Sequence, residues 1–200
     1  METNTIESPD QIRARILEAS QERFSQFGYG KTTMAEVAKD CGMSAANLYR
    51  YFENKQDIGV QLCNRCLGNE VAALRALTER NDISARERLE RWTLETLGHV
   101  HDRWLQHPRI NELVEVIAKE RLDVVQVHIA AKHRMLTRLL EEGRANGEFD
   151  VPDPSRAAEA ILNATILFDV PLFMPMFSLE EFERRARIVT EFILRAVLKR

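Results

Sequence analysis

Only three of the 200 residues are cysteine, an odd and small number that argues against a disulfide framework and points to a reducing compartment. Eight glycines and six prolines exclude a collagen-like or proline-rich filament. No apolar run approaches the roughly 18 to 20 residues of a membrane span; the longest, residues 170–177, holds two prolines. The first ten residues, METNTIESPD, lack the basic start and apolar stretch of a secretory signal. The expectation is a cytoplasmic protein with no membrane contact. A basic excess is missing as well: the formal net charge is -3, which disfavours non-specific coating of nucleic acid. Residues 1–57 carry seven basic against nine acidic side chains. Any contact with nucleic acid therefore depends on where those charges lie.

What is present is helical punctuation. With 44% hydrophobic residues the chain is long enough for a sizeable core. Ser8-Pro9-Asp10-Gln11 supplies a hydroxyl cap, a proline at the first helical position and a glutamine three after the cap. Behind it Leu17, Ser20, Phe24 and Phe27, with Ile12 and Ile16 beside them, form one stripe that ends at Gly28-Tyr29-Gly30. Thr33 opens a second, short helix stopped by Gly42, Ser44 caps a third over residues 45–52, and Asn54 caps a fourth. Longer segments follow. Ser84 opens one interrupted by Pro108, another runs from about Arg109 to Gly147 with a break near Arg121, and Asp153 and Ser178 start the last two, over about 153–174 and 178–199. No stretch alternates like a strand. The reading is all-α: short helices up to residue 57, then a larger helical part over 58–200.

Two short helices joined at Cys41-Gly42-Met43, the second beginning with small and polar residues, have the form of a helix-turn-helix. In such a unit the first helix braces the second, whose N-terminal side chains must be small or polar to enter a major groove about 12 Å wide. Ala45, Ala46 and Asn47 suit that position, while Val37, Ala38, Met43 and Leu48 suit the core.

The run Phe27-Gly28-Tyr29-Gly30-Lys31-Thr32-Thr33-Met34, then Val37-Ala38, Gly42-Met43-Ser44 and the nine residues from Asn47 to Lys55 resemble, in order and spacing, the DNA-binding domain of the tetracycline repressor (TetR) family of bacterial transcriptional regulators. The resemblance implies a DNA-binding domain over 1–57 and an effector-binding and dimerisation domain over 58–200. It puts Thr33 and the backbone of Met34 at a phosphate, with Ser44 opening the recognition helix. Ala35, Ala45, Ala46 and Asn47 would face bases, and Tyr49 and Tyr51 the sugar-phosphate backbone. Lys55, and less directly Lys31, would meet phosphates. With alanine at two base-facing positions, polar readout falls to Asn47, which can engage adenine N6 and N7. The implied partners are double-stranded operator DNA, a second copy of the chain through the last two helices, and a small-molecule effector that releases repression. No cofactor is expected.

Other constellations carry less. Trp92, His99, Trp104, Asn111, His128, His133, Asn163 and Phe168 are candidates for an effector pocket, but helical stripes of this kind are mostly packing, so the pocket is left unassigned. Cys63-Asn64-Arg65-Cys66 could form a thiol switch, and a redox-sensing regulator is one alternative. Glu95 and His99 lie one turn apart without an evident third ligand, so no metal site is expected. No G-x-S-x-G, P-loop, dinucleotide fingerprint or H-E-x-x-H occurs, and no catalytic residue is assigned. A helical adaptor that binds protein rather than DNA is the remaining rival.

Overall fold

Capping side chains set where the helices begin. In a computed structural model, which describes residues 7–106 and 108–199, the Ser8 hydroxyl accepts from the Gln11 amide and the Gln11 side chain reaches back to the Ser8 amide, opening α1 (Pro9–Phe27). Thr33 and Glu36 form the same reciprocal box at α2 (Met34–Asp40), and Ser44 caps α3 (Ala45–Leu48). Asn54 accepts from the Asp57 amide at the start of α4 (Lys55–Thr78). There follow α5 (Ala85–Gln106), α6 (Pro108–Glu120), α7 (Leu122–Ala145), α8 (Pro154–Ala164), α9 (Ile166–Asp169), a 3-10 segment (Pro171–Met176) and α10 (Leu179–Val197). No strand occurs among the described residues; one isolated bridge joins Phe149 and Leu198. The fold is all-α, and no described helix is long and apolar enough to cross a membrane.

Two expectations about helix length are corrected. The third helix stops at Leu48, and residues 49–51 form a turn. The helix expected over 153–174 ends at Ala164. There the Thr165 hydroxyl bonds back to the Ile161 carbonyl at 2.8 Å, and prolines at 171 and 175 remove amides needed to continue an α-helix, leaving α9 and the 3-10 segment instead. Phe27 also departs from the first helix's stripe. It is 45% exposed, its ring covered by the Arg23 guanidinium at 4.9 Å.

The chain divides into two compact units, Met1–Cys66 with His107–Val124, and Leu67–Gln106 with Val125–Arg200. Residues 1–6, part of the expected first domain, lie outside the described residues. In the first unit the buried apolar side chains include Ile16, Phe24, Val37, Leu48, Phe52 and Ile58, with Leu113 and Ile117 from α6. Gly59 lets α6 approach: a Cβ there would stand 3.0 Å from Ile117 and 3.1 Å from Tyr29.

The second unit buries Leu89, Trp92, Leu139, Phe149, Ile161 and Leu194 in one cluster and Leu97, Val100, Phe168, Met174 and Phe182 in another. Several of its buried polar groups pair across helices. Thr190 on α10 donates to Thr93 on α5 at 3.0 Å. The buried Arg88 guanidinium bonds the Thr78 carbonyl, satisfying the end of α4, and pairs with Glu142 at 2.9 Å. Glu148 accepts from the Ala85 and Arg86 amides and so completes the N-terminal cap of α5.

Candidate nucleic-acid interface

The helix-turn-helix is locked by its turn. Gly42 has φ +66°, a left-handed conformation that glycine adopts without Cβ strain. This lets the Met43 amide fold back onto the Ala38 carbonyl at 2.9 Å. α1 braces the turn from behind: Arg15 donates to the Cys41 carbonyl. Further along α1, Arg23 pairs with Glu36 at 2.9 Å and Asp40 at 2.8 Å on α2. The Glu36 carboxyl is held below the usual carboxylate range, first by the Thr33 amide and hydroxyl and then by Arg23.

With Leu48 and Phe52 fully buried, α3 and the turn after it must present their other side to solvent. Ser44, Ala46, Tyr49 and Arg50 are exposed, Tyr49 by 53%; Ala45, Asn47 and Tyr51 are half-buried. Ser44 accepts from the Asn47 amide at 3.2 Å. The Asn47 side chain takes no hydrogen bond from the described residues, so its carboxamide keeps its full donor and acceptor set.

At the start of α2, Thr33 and Ala35 are exposed, whereas Met34 buries its side chain and can offer only its backbone. The Thr33 hydroxyl donates to Glu36 Oε2 at 2.8 Å, so a phosphate at this helix start would meet first-turn amides before that hydroxyl. Lys31 is exposed. Lys55 is brought to the same segment, but its ammonium donates to the Tyr29 and Thr32 carbonyls, both at 2.8 Å, and lies 4.5 Å above the Tyr29 ring. Burial pushes the Lys55 pKa down, against an upward pull from Glu120 and Glu36. Lys55 therefore fastens the loop that delivers Thr33. Sequence reading missed this role, and those of Arg15 and Arg23, because the contacts join residues 13 to 26 positions apart.

The remaining candidates are dispersed. Trp92 and Phe168 are fully buried in the second unit, and half-buried His133 meets the Ser155 carbonyl at 2.9 Å. Glu95 and His99 pair at 3.5 Å, and among the described residues no group of three His, Cys, Asp or Glu is placed to hold a metal. Cys63 is buried and Cys66 half-buried on α4.

A buried bracing helix, a glycine turn and an exposed short helix followed by aromatics define a helix-turn-helix protein with a helical C-terminal domain. Residues 16–61 match the family described as bacterial regulatory proteins, tetR family, and residues 85–190 match the tetracyclin repressor-like C-terminal domain. The chain belongs to the tetR family of bacterial transcriptional regulators. It is similar to the HTH-type transcriptional regulators TtgR and ArpR of Pseudomonas putida, each 30% identical over 128 residues, 64% of this chain. The matched stretch spans 55% of the length of those two relatives. Among solved structures, a tetR-family regulator from Mesorhizobium loti superposes with TM-score 0.75 at 18% identity, covering 96% of this chain and 100% of the other. SmeT, the repressor of the Stenotrophomonas maltophilia multidrug efflux pump SmeDEF, does so with TM-score 0.67 at 17% identity, covering 94% and 90%. These likenesses give no support to a thiol switch at Cys63 and Cys66.

Proposed function

We propose that this protein is a ligand-responsive repressor that binds a palindromic operator as a homodimer and is released by a small-molecule effector. Residues 1–57 serve as the DNA-binding domain and 58–200 as the effector-binding and dimerisation domain. The observation that carries the reading is the outward presentation of Ser44, Ala46, Tyr49 and Arg50 on α3, its cap and the turn after it, above a fully buried Leu48. Asn47 reads a base edge, Ala35, Ala45 and Ala46 offer methyl contacts, and Tyr49, Tyr51, Lys31, Lys55 and the first-turn amide of Met34 hold the backbone.

A helix of four residues reads few bases, so two copies spaced by about 34 to 36 Å, or a multiple of that, are needed for selectivity. The apolar face formed by α8 and α10 suits that pairing. Phe192 is 76% exposed beside a groove of about 500 Å³ lined by Ala157, Ala160, Ile161 and Ala164, and a two-fold axis would satisfy both at once. Release follows from linkage: an effector that favours a conformation with wrongly spaced recognition helices lowers DNA affinity by the same coupling factor. That SmeT has been solved in complex with triclosan supports a small-molecule effector.

The test is to select fragments of the native genome with the purified protein. The expected result is a two-fold symmetric site bound in a salt-sensitive manner and lost in Tyr49→Ala. Retention of every fragment alike would refute the proposal.

A further inference from the structure

A groove of about 450 Å³ opens on the surface of the second unit between the end of α4 and α7. On its α7 side stand Arg134, Met135, Arg138, Leu139 and Glu142, whose spacing of threes and fours keeps them on one face of the helix. Arg75 on α4 and Glu79 just beyond that helix close the other side. The volume is that of a small-molecule site.

Guanidinium donors here outnumber the acceptors offered to them. Glu142 serves two arginines at once: its Oε2 accepts from Arg88 at 2.9 Å and its Oε1 from Arg138 at 3.0 Å. The Arg88 side chain is only 5% exposed, and its Nε is buried without a hydrogen-bond partner among the described residues. Arg75 and Arg134 are exposed and form no ion pair with any described acid. The sequence around Arg134 explains this. One turn away lie Ala130, Ala131, Thr137 and Arg138, none of them acidic, and two arginines four positions apart repel. Exposed arginines elsewhere in the unit behave differently: Arg86 pairs with Glu90, Arg91 with Glu87 and Arg195 with Glu191. Glu79, the other acid of the groove, pairs with none of its arginines.

We propose that this groove binds a phosphomonoester carried on a small apolar body, with Arg75, Arg134 and Arg138 holding the phosphate. This goes beyond the regulator reading and does not depend on it. The charges fix the class. Four arginines, the buried Arg88 included, stand against Glu79 and Glu142, so two positive charges are left over. A phosphomonoester brings about 1.5 to 2 negative charges at pH 7 and three strong acceptor oxygens, whereas a carboxylate brings one charge. Guanidiniums meet phosphate oxygens through paired, charge-assisted hydrogen bonds. Half-buried Met135 and buried Leu139 line the same groove and offer the apolar body a surface to cover.

The test is calorimetric titration of the full chain at pH 7 with phenyl phosphate, benzoate and inorganic phosphate. Phenyl phosphate should bind at least about tenfold more tightly than benzoate, which has the same ring and a single charge. It should also bind more tightly than inorganic phosphate, which lacks the apolar body. Arg134→Gln and Arg75→Gln should each weaken phenyl phosphate by about tenfold, and the pair keeps the idea testable if one variant fails to fold. Glu79→Gln removes the opposing charge and should tighten binding by about threefold. Arg187→Gln takes an equally exposed arginine from α10, away from the groove, and should change nothing. No saturable binding of phenyl phosphate up to about 10 mM, an affinity no higher than that of either other probe, or equal weakening by the Arg134 and Arg187 substitutions would overturn the proposal.

Discussion

Replacing Lys55 by methionine isolates a single chemical feature, the ammonium, because the two side chains are nearly equal in length. That ammonium donates to the Tyr29 and Thr32 carbonyls at 2.8 Å each and sits 4.5 Å above the Tyr29 ring. Hydrogen bonds involving a charged group contribute about 1.5 to 3 kcal/mol each, and a cation over a ring about 0.5 to 1. Lys55 is only half-buried and water can reach the freed carbonyls, so the low end applies, about 3.5 kcal/mol, and the burial that lowers the Lys55 pKa offsets part of it, leaving about 3 kcal/mol. At about 2 to 4 °C per kcal/mol for a chain of this size, Lys55→Met should lower Tm by about 6 to 12 °C. Differential scanning calorimetry measures it. A second readout follows from the proposed interface. In that proposed interface the third N–H of Lys55 would meet a phosphate, so the slope of log affinity against log salt, read by fluorescence anisotropy on operator DNA, should fall by about 0.9. A Tm within about 2 °C of the unaltered chain would refute the bracing argument, given the magnitudes above.

Leu48→Ala empties a fully buried position beneath α3 and should cost about 2 to 5 kcal/mol in denaturant unfolding, with operator affinity falling in the fraction that stays folded. Gly143→Ala would put a Cβ 2.1 Å from the buried Phe149 ring, and the forced shift should cost about 1 to 3 kcal/mol by the same assay. Phe192→Arg places charge at the centre of the α8 and α10 face and should convert dimer to monomer in sedimentation at micromolar concentration, while the far-ultraviolet dichroism stays unchanged. Hydrogen bonds from Arg184 foremost, with the nearby Arg185 charge, hold the Glu181 carboxyl down at about 2. Because the folded pKa is depressed, its contribution is present above the ordinary glutamate range and fades as pH falls towards 2. An NMR titration of the Glu181 side chain should show that late midpoint, and Arg184→Ala should move it upward.

The helix starts were legible because their causes are local. Ser8, Thr33, Ser44, Asn54, Asp153 and Ser178 lie within three residues of the amides they cap, and the Pro9 and Gly42 signals act on the chain beside them. The early stop of α8 was harder to see. It combines a Thr165 hydroxyl that bonds backwards with two prolines inside a run that otherwise reads as apolar helix. Exposure along α1 also followed tertiary packing rather than periodicity: Phe27 has the right spacing for the core, yet lies outside it under Arg23. The motif residues around Asn47 were recognisable by type and order. The long-range ties were not, because pairs such as Lys55 with Thr32, Arg15 with Cys41 or Glu70 with Lys132 leave no mark in spacing.

The most direct measurement concerns one side chain on α3. Relative affinities of the unaltered chain and Asn47→Ala should be compared over an operator set in which every base pair is changed in turn. The account predicts that the substitution abolishes preference at one position in each half-site, worth about 1 to 3 kcal/mol there, and leaves the other positions ranked as before. Uniform weakening across all sequences, with every preference intact, would contradict it.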